Sequence, residues 1–407
     1  MKIDNQASND ITFGFVGSVV PDEPRFRSIA FSRAGNLCQT NILTSIRSAG
    51  IEVSAVIGYV PVQSWPRGNV LTVKKQRLRL QNDIEVDATG FLNVPLFKQL
   101  TIGLGTFRRL LSWGWRNRHT KARVVSTYNL SVPSGAFTLL AARIVGAKAV
   151  AFLYDIDVPG ETVPNSLFHR LDYKLQRWLM PRFDGLVVVS DAIVRDFQLH
   201  QPFVRIEGGV SHTTDTRIIR MKDPECFVIV SAGTLNEANG VHILLQAFSM
   251  LDGIHYKLRI AGSGPLEKDV RYAAVRDARI EYCGYLAYEN VLRLYQTADV
   301  LLNLRLTNTI RTKYLFPSKL MEYLLSGRPV ISTCTGHVEA EYGDFVYPLR
   351  DETAGGLAAV LRTVEHEVET AEAKGVTARE YMLAHKTWLA QGQRVRDLIT
   401  SIIAARN

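Results

Sequence analysis

Cysteine is scarce. The 407 residues contain four, Cys38, Cys226, Cys283 and Cys334, scattered with no paired spacing. This argues against a disulfide framework or a zinc site and suits a reducing compartment. Long apolar runs are missing too. No stretch of about twenty apolar residues occurs, so no spanning helix is expected. The opening MKIDNQASND is polar and lacks the apolar middle of a secretion signal. His212, His242 and His255 have no ligand spacing and read as structural histidines, so neither a metal nor a cofactor is expected. Zinc-finger spacing, an RNP-like aromatic signature and a basic-zipper repeat are absent, and nucleic acid is not expected as a partner. Internal repeats and low-complexity segments are absent as well.

What is present is a chain that is 46% hydrophobic and 21% charged, long enough for two domains with real cores. The net charge is +9, which suits an anionic partner such as a phosphorylated small molecule or an anionic lipid surface.

Strand-like and helix-like segments alternate from end to end. In the first half ITFGFVGSVV, EVSAVIGYV, ARVVSTYN, KAVAFLYDID and GLVVVS read as strands, with helical patterns in NLCQTNILTSIRSAG, SGAFTLLAARIVGA and NSLFHRLDYKLQRWL. The polar stretch VRIEGGVSHTTDTRIIRMKDPE reads as a linker. A second alternation follows, CFVIVSAGT, YKLRIAGSG, RIEYCGY, DVLLNLR and PVIST, with helices between. The end, from Arg379, is a long amphipathic helix or a helix pair. Strands that are apolar throughout suit parallel sheets buried on both faces. The fold class is therefore α/β, two doubly wound Rossmann-like domains with a ligand cleft at the carboxyl ends of their strands. The expected division is 1–212, 213–384 and a C-terminal helix, 385–407.

Near the end, KYLFPSKLMEYLLSGRPVIST raises a specific problem. Pro317-Ser318 opens a helix, Gly327 ends it, and Lys319 sits in the first turn, where a cation opposes the helix dipole. Glu322 follows three residues later, in the less favourable order for an intrahelical pair, among apolar neighbours. A bound phosphate would reverse the sign problem at Lys319, and Glu322 would accept hydrogen bonds from sugar or ribose hydroxyls. Two glycine-bearing loops, SAGTLNEANG and AGSGPLEKD, follow strands and open helices, as phosphate-approaching loops do; ordinary turns remain the alternative for each.

Together these three second-half segments, with IEYCGYLAYENVLRLYQTADVLLNLR, resemble the nucleotide-sugar half of glycosyltransferase family 4, retaining enzymes of the GT-B fold. The first half resembles it more loosely, through AGNLCQTNILTSIRSAGIEV, YDIDVPG, VVVSDAI and IEGGV. HKTWLAQGQRVRDLI resembles the tail that returns to the first domain. The resemblance implies that Glu322 binds the donor ribose and that Pro317 and Ser318 border the donor phosphates. It implies that Gly233, Gly262 and Gly264 lie near the nucleotide and that Tyr285 lies where the base packs. Gly35 and Asn36 fall on the acceptor side, and Asp155 where the transferred sugar is contacted. Three positions depart from the family pattern. Tyr314, still on the donor side, replaces the first glutamate of the paired motif, and Thr234 and Asn239 replace the arginine and lysine of the diphosphate clamp. Lys319, Arg305, Arg311 and Lys313 are the cations available instead, with Lys319 and Arg305 assigned the leaving-group role. FPSK..EY resembles a branch found in surface-polysaccharide assembly.

IGLGTFRRLLSWGWRNRHTKAR, in the first half, places Leu104, Phe107, Leu111 and Trp115 on one side and Arg109 and Arg116 opposite. It reads either as an in-plane membrane helix over 103–121 or as a crossover helix packing that stripe on the sheet. The expectation is a cytoplasmic enzyme, with attachment to the inner membrane face left open. It would transfer a sugar from a UDP- or GDP-sugar to a polyprenyl-linked or oligosaccharide acceptor, without a metal. A nucleotide-sugar epimerase and a non-catalytic GT-B subunit are the alternatives.

Overall fold

The apolar runs form parallel strands. The computed structural model describes residues 11–26, 31–80, 83–130, 132–211, 223, 225–309 and 312–405. His212, Arg311 and most of the expected linker lie outside them. The chain divides into two compact units, Met1–Ile206 with Trp388–Asn407, and Glu207–Thr387.

The first unit begins with β1 (Ile11–Gly17), α1 (Arg33–Ser48) and β2 (Glu52–Gly58). Four short strands follow where no element was expected: β3 (Thr72–Val73), β4 (Gln76–Arg79), β5 (Glu85–Ala88) and β6 (Phe91–Leu92). Then come α2 (Phe97–Arg116), β7 (Ala122–Tyr128), α3 (Val132–Val145), β8 (Lys148–Leu153) and α4 (Leu167–Leu179). The series ends with β9 (Gly185–Val188), α5 (Asp191–Asp196) and β10 (Phe203–Arg205). The sheet order is β10-β9-β8-β7-β1-β2-β5-β4. Every neighbouring pair in it is parallel except β4 with β5. The order reverses at β1, so right-handed crossovers put α3 and α4 on one face and α1 on the other.

The helix over 97–116 packs as a crossover element, but not by the expected stripe. Ile102, Thr106, Leu110 and Trp113 are buried, and the Trp113 indole donates to Ser54 Oγ at 2.7 Å. Gly114 lets α3 approach, since a Cβ there would lie 2.5 Å from Val145. Leu104 and Trp115 stay exposed. The stripe and the packed face are neighbouring sectors of one helix, which the periodicity alone did not separate.

The second unit contains β11 (Phe227–Thr234), α6 (Val241–Ser249), β12 (Tyr256–Ser263), α7 (Glu267–Arg276) and β13 (Ile280–Gly284). It continues with α8 (Tyr288–Gln296), β14 (Val300–Asn303), α9 (Ser318–Leu325), β15 (Val330–Thr333), α10 (Val338–Tyr342) and β16 (Tyr347–Leu349). It closes with α11 (Ala354–His366) and α12 (Val368–His385). The sheet is parallel throughout, in the order β13-β12-β11-β14-β15-β16. Apolar clusters bury both of its faces, one under α6 and α11, the other under α9 and α12.

The C-terminal region is a helix pair broken at Lys386-Thr387. Its last member, α13 (Trp388–Ala404), belongs to the first unit and packs beside α1. Gly392 makes the approach possible, and Arg396 donates to the Ala49 carbonyl at 3.0 Å.

Candidate functional site

In the second unit the strand order reverses between β11 and β14, and a hollow of about 220 Å3 opens at their carboxyl ends. Its lining includes Gly233, Thr234, Asn239, Arg305, Ser318 and Lys319. Pro317 caps α9 without a side-chain hydrogen bond to the first turn. The Leu320 N–H bonds the Pro317 carbonyl at 2.8 Å, and no capping side chain covers the N–H groups of Ser318 and Lys319, which stand beside two cations. No carboxylate lines this hollow among the described residues.

Lys319 is half-buried, and Nζ donates to the Ala232 carbonyl at 2.7 Å. Gly233 makes that reach possible, since a Cβ there would sit 2.8 Å from Nζ. Burial pushes the ammonium pKa down, against the pull of Glu322. Burial pushes the Glu322 carboxyl up, against Lys319 and the Tyr295 hydroxyl, which donates to Oε2 at 3.4 Å. Glu322 thus stands one turn behind Lys319, beside Tyr295 and outside the residues that line the hollow.

The two substituted clamp positions are joined. The Asn239 amide donates to the Thr234 carbonyl at 2.7 Å, and the Arg305 guanidinium donates to Asn239 Oδ1 at 3.5 Å. Arg305 therefore brings a positive charge to where the sequence shows only neutral residues. Tyr314 is buried, with Lys313 Nζ over its ring at 4.9 Å, and does not line the hollow. A second hollow of about 190 Å3 joins Gly262 and Tyr285 to Gly233, Thr234 and Lys319. The glycines of this loop are dictated first by the chain. A Cβ at Gly262 would lie 1.8 Å from Gly233 O, and one at Gly264 2.4 Å from Leu235 O, both at positive φ.

No signal in the sequence marks the support behind α9. Glu207 is buried and binds His337 at 3.0 Å and Lys386 at 3.3 Å, and the His337 ring stacks on Phe316, next to Pro317. Burial raises the Glu207 carboxyl, but the His337 hydrogen bond and the Lys386 charge outweigh it and hold its pKa at about 2.

The first unit has its own hollow, about 260 Å3, at the β1/β7 reversal, lined by Gly35, Asn36, Tyr59, Asn129, Asp155 and Asp157 among others. No cation lines it among the described residues. Asn36 faces it, but both ends of its amide are spent on Val20 at 2.9 Å. Asn129, which sequence reading missed, organises the acidic loop. Held at φ 55°, it accepts from the amides of Tyr154 and Asp155 and donates to Asp155 Oδ2 at 3.0 Å. Burial, then Asp172 and Asp155, pushes the Asp157 carboxyl up. Asp157 therefore belongs to this hollow as fully as Asp155.

Two Rossmann-like units and a C-terminal helix returning to the first define the GT-B fold, here with a cation-lined hollow at the reversal of the second unit. Residues 226–366 match the profile of glycosyl transferases, group 1. WcaL of Salmonella typhimurium, named for colanic acid biosynthesis, is 27% identical over 184 residues, 43% of this chain and 45% of its own. WcaL of Escherichia coli is 29% identical over 135 residues, 31% of this chain and 33% of its own. The chain thus spans less than half the length of the curated relatives it matches. HepE of Anabaena, solved in complex with UDP, superposes with a TM-score of 0.64 at 15% identity, over 96% of this chain and 100% of its own. The chain has the GT-B fold, and residues 226–366 of its second unit are similar to group 1 glycosyl transferases.

Proposed function

We propose that the protein is a retaining glycosyltransferase of cell-surface polysaccharide biosynthesis. It moves a sugar from a nucleotide-diphosphate donor to a hydroxyl of a polyprenyl-linked or oligosaccharide acceptor. One observation carries this reading: among the described residues, the second unit's hollow is lined by Lys319 and Arg305 and by no carboxylate, while the first unit's hollow is lined by Asp155 and Asp157 and by no cation. Cations beside open helix N–H groups suit a diphosphate, and paired carboxylates suit neutral hydroxyls.

In the reaction the bond from the anomeric carbon to the donor phosphate oxygen breaks. A bond from that carbon to the acceptor oxygen forms, and the acceptor proton passes to the departing diphosphate. Negative charge grows on the departing diphosphate, and Lys319 and Arg305 stabilise it there. Glu322, set back against Tyr295, holds the ribose hydroxyls, Tyr285 stacks with the base, and Asp155, fixed by Asn129, orients a sugar or acceptor hydroxyl.

Thermal shift with UDP, GDP and their sugars tests the donor site. HepE was solved with UDP, so UDP is the first probe. A ligand at about one hundred times its Kd adds about 2.7 kcal/mol of apparent stability. Absence of a shift with every nucleotide would overturn the reading. A shift without transfer would favour a binding subunit, the reading supported by Thr234 and Asn239 at the clamp positions.

A further inference from the structure

We infer that the first unit docks on an anionic bilayer through the outward faces of α2, α3 and α4. The observation that leads here is α4, whose apolar side faces outward. Leu167, Phe168, Leu171 and Trp178 fall on one side of it, 74%, 53%, 57% and 53% exposed, with half-buried Leu175 among them. Its inner side carries polar Asp172 and Gln176 besides Leu179, and Gln176 donates to Asp172 at 2.6 Å. A helix in water normally has the opposite arrangement. Arg170, Lys174 and Arg177 border the exposed stripe, and the Arg182 guanidinium lies 3.7 Å from the centre of the Trp178 ring.

The neighbouring helices extend the same pattern. α3 lies between α2 and α4 and exposes Leu140 and Ile144 with Arg143. On α2, Phe97, Leu100, Leu104 and Trp115 are exposed, Trp115 at 73%. A groove of about 610 Å3 between α2 and α3 combines Leu111, Trp115 and Ile144 with Arg116, Arg118 and Arg123. An apolar patch edged by arginines, with tryptophans at its margin, complements acyl chains below and anionic headgroups above.

The consequence for the acceptor rests on the transferase reading. The inner face of α4 contributes Gln176 to the Asp155–Asp157 hollow, so a lipid-borne acceptor reaches that hollow from the helix that meets the membrane.

The test is sedimentation of the full chain with phosphatidylcholine vesicles, with and without phosphatidylglycerol. Binding is expected only with phosphatidylglycerol, and it weakens as salt rises. The double variant Leu171→Gln/Trp178→Gln should bind about tenfold more weakly or worse, as should Arg170→Glu/Lys174→Glu, since each cation near the surface contributes about fivefold. All four positions are at the surface, and an unchanged melting temperature verifies that the variants are folded. The docking surface is overturned if the parent ignores phosphatidylglycerol, if both variants sediment like the parent, or if the face proves to join two copies in solution. If vesicle binding depends on the stripe while no nucleotide shifts the melting, the transferase reading fails and the docking surface stands.

Discussion

A lysine in the first turn of a helix is costly without an anion, and the structure offsets part of that cost locally. Lys319 donates to the Ala232 carbonyl, which also accepts from the Tyr323 hydroxyl at 3.1 Å. Removing the lysine therefore leaves that carbonyl satisfied and removes a charge whose ionised form burial already disfavours. Lys319→Met is expected to melt within a few degrees of the parent. Its transfer rate should fall about 30- to 1000-fold, about 2–4 kcal/mol, more than its UDP affinity. Normal turnover with a much lower melting temperature would make the lysine a structural residue. Glu322→Gln acts in the opposite way: donor affinity falls, and stability holds because a carboxylate disfavoured by burial is removed. Because Lys319 has its pKa lowered, donor affinity should decline with rising pH earlier than an ordinary lysine would allow.

Glu207 gives a stability test in acid. Its folded pKa, about 2, lies below the ordinary 4.5. The stabilisation it gives is therefore complete above pH 4.5 and lost as pH falls toward about 2, where both states are protonated. The shift corresponds to about 3 kcal/mol at neutral pH. Urea unfolding of Glu207→Gln between those pH values should show a slope against pH shallower by about one proton. An unchanged slope would assign the acid sensitivity to other carboxylates.

At the scale of elements, the sequence was legible where local chemistry and burial agree. The main strands of both units follow from apolar runs, and α9 follows from Pro317 at its start and Gly327, at φ 73°, after its end. Legibility failed where the deciding partner is distant. His337 and Glu207 are 130 positions apart, and nothing local to either predicts their pairing. The α2 stripe was left open between membrane and core, because periodicity reports an apolar face and not what covers it. The short strands β4 and β5 do alternate, as RLRL and IEVDA, but each run covers only four or five residues, too few to stand out from a loop. The glycine loops were read as ligand approaches; in the structure they are first a requirement of two loops touching. Gly262→Ala tests this. With a Cβ 1.8 Å from Gly233 O and φ at 138°, the substitution should destabilise by about 2–4 kcal/mol before any ligand is added. Chemical denaturation without nucleotide measures it, and a parent-like midpoint with lost UDP binding would restore the ligand reading.

For the whole molecule, the last helix in sequence completes the first core. Val395, Leu398, Ile399 and Ile402 of α13 are buried, and a Cβ on Gly185 would lie 2.2 Å from Ile402. Gly392 is the point of closest approach, since a Cβ there would lie 2.2 Å from the Ser45 backbone carbonyl. A backbone carbonyl inside α1 cannot move aside as a flexible side chain could, so Gly392→Val must displace α13 as a whole. The other unit has a separate sheet and separate apolar clusters, none of which includes α13. The variant should therefore unfold in two steps. The unit containing α1 and α13 should melt earlier by several degrees, as about 1–3 kcal/mol of overpacking implies for a domain of that size. The second transition should stay in place and still rise with UDP, if UDP occupies the hollow beside Lys319. Calorimetry with and without UDP separates the two steps. A single transition, lowered as a whole, would mean that the two cores unfold as one cooperative unit.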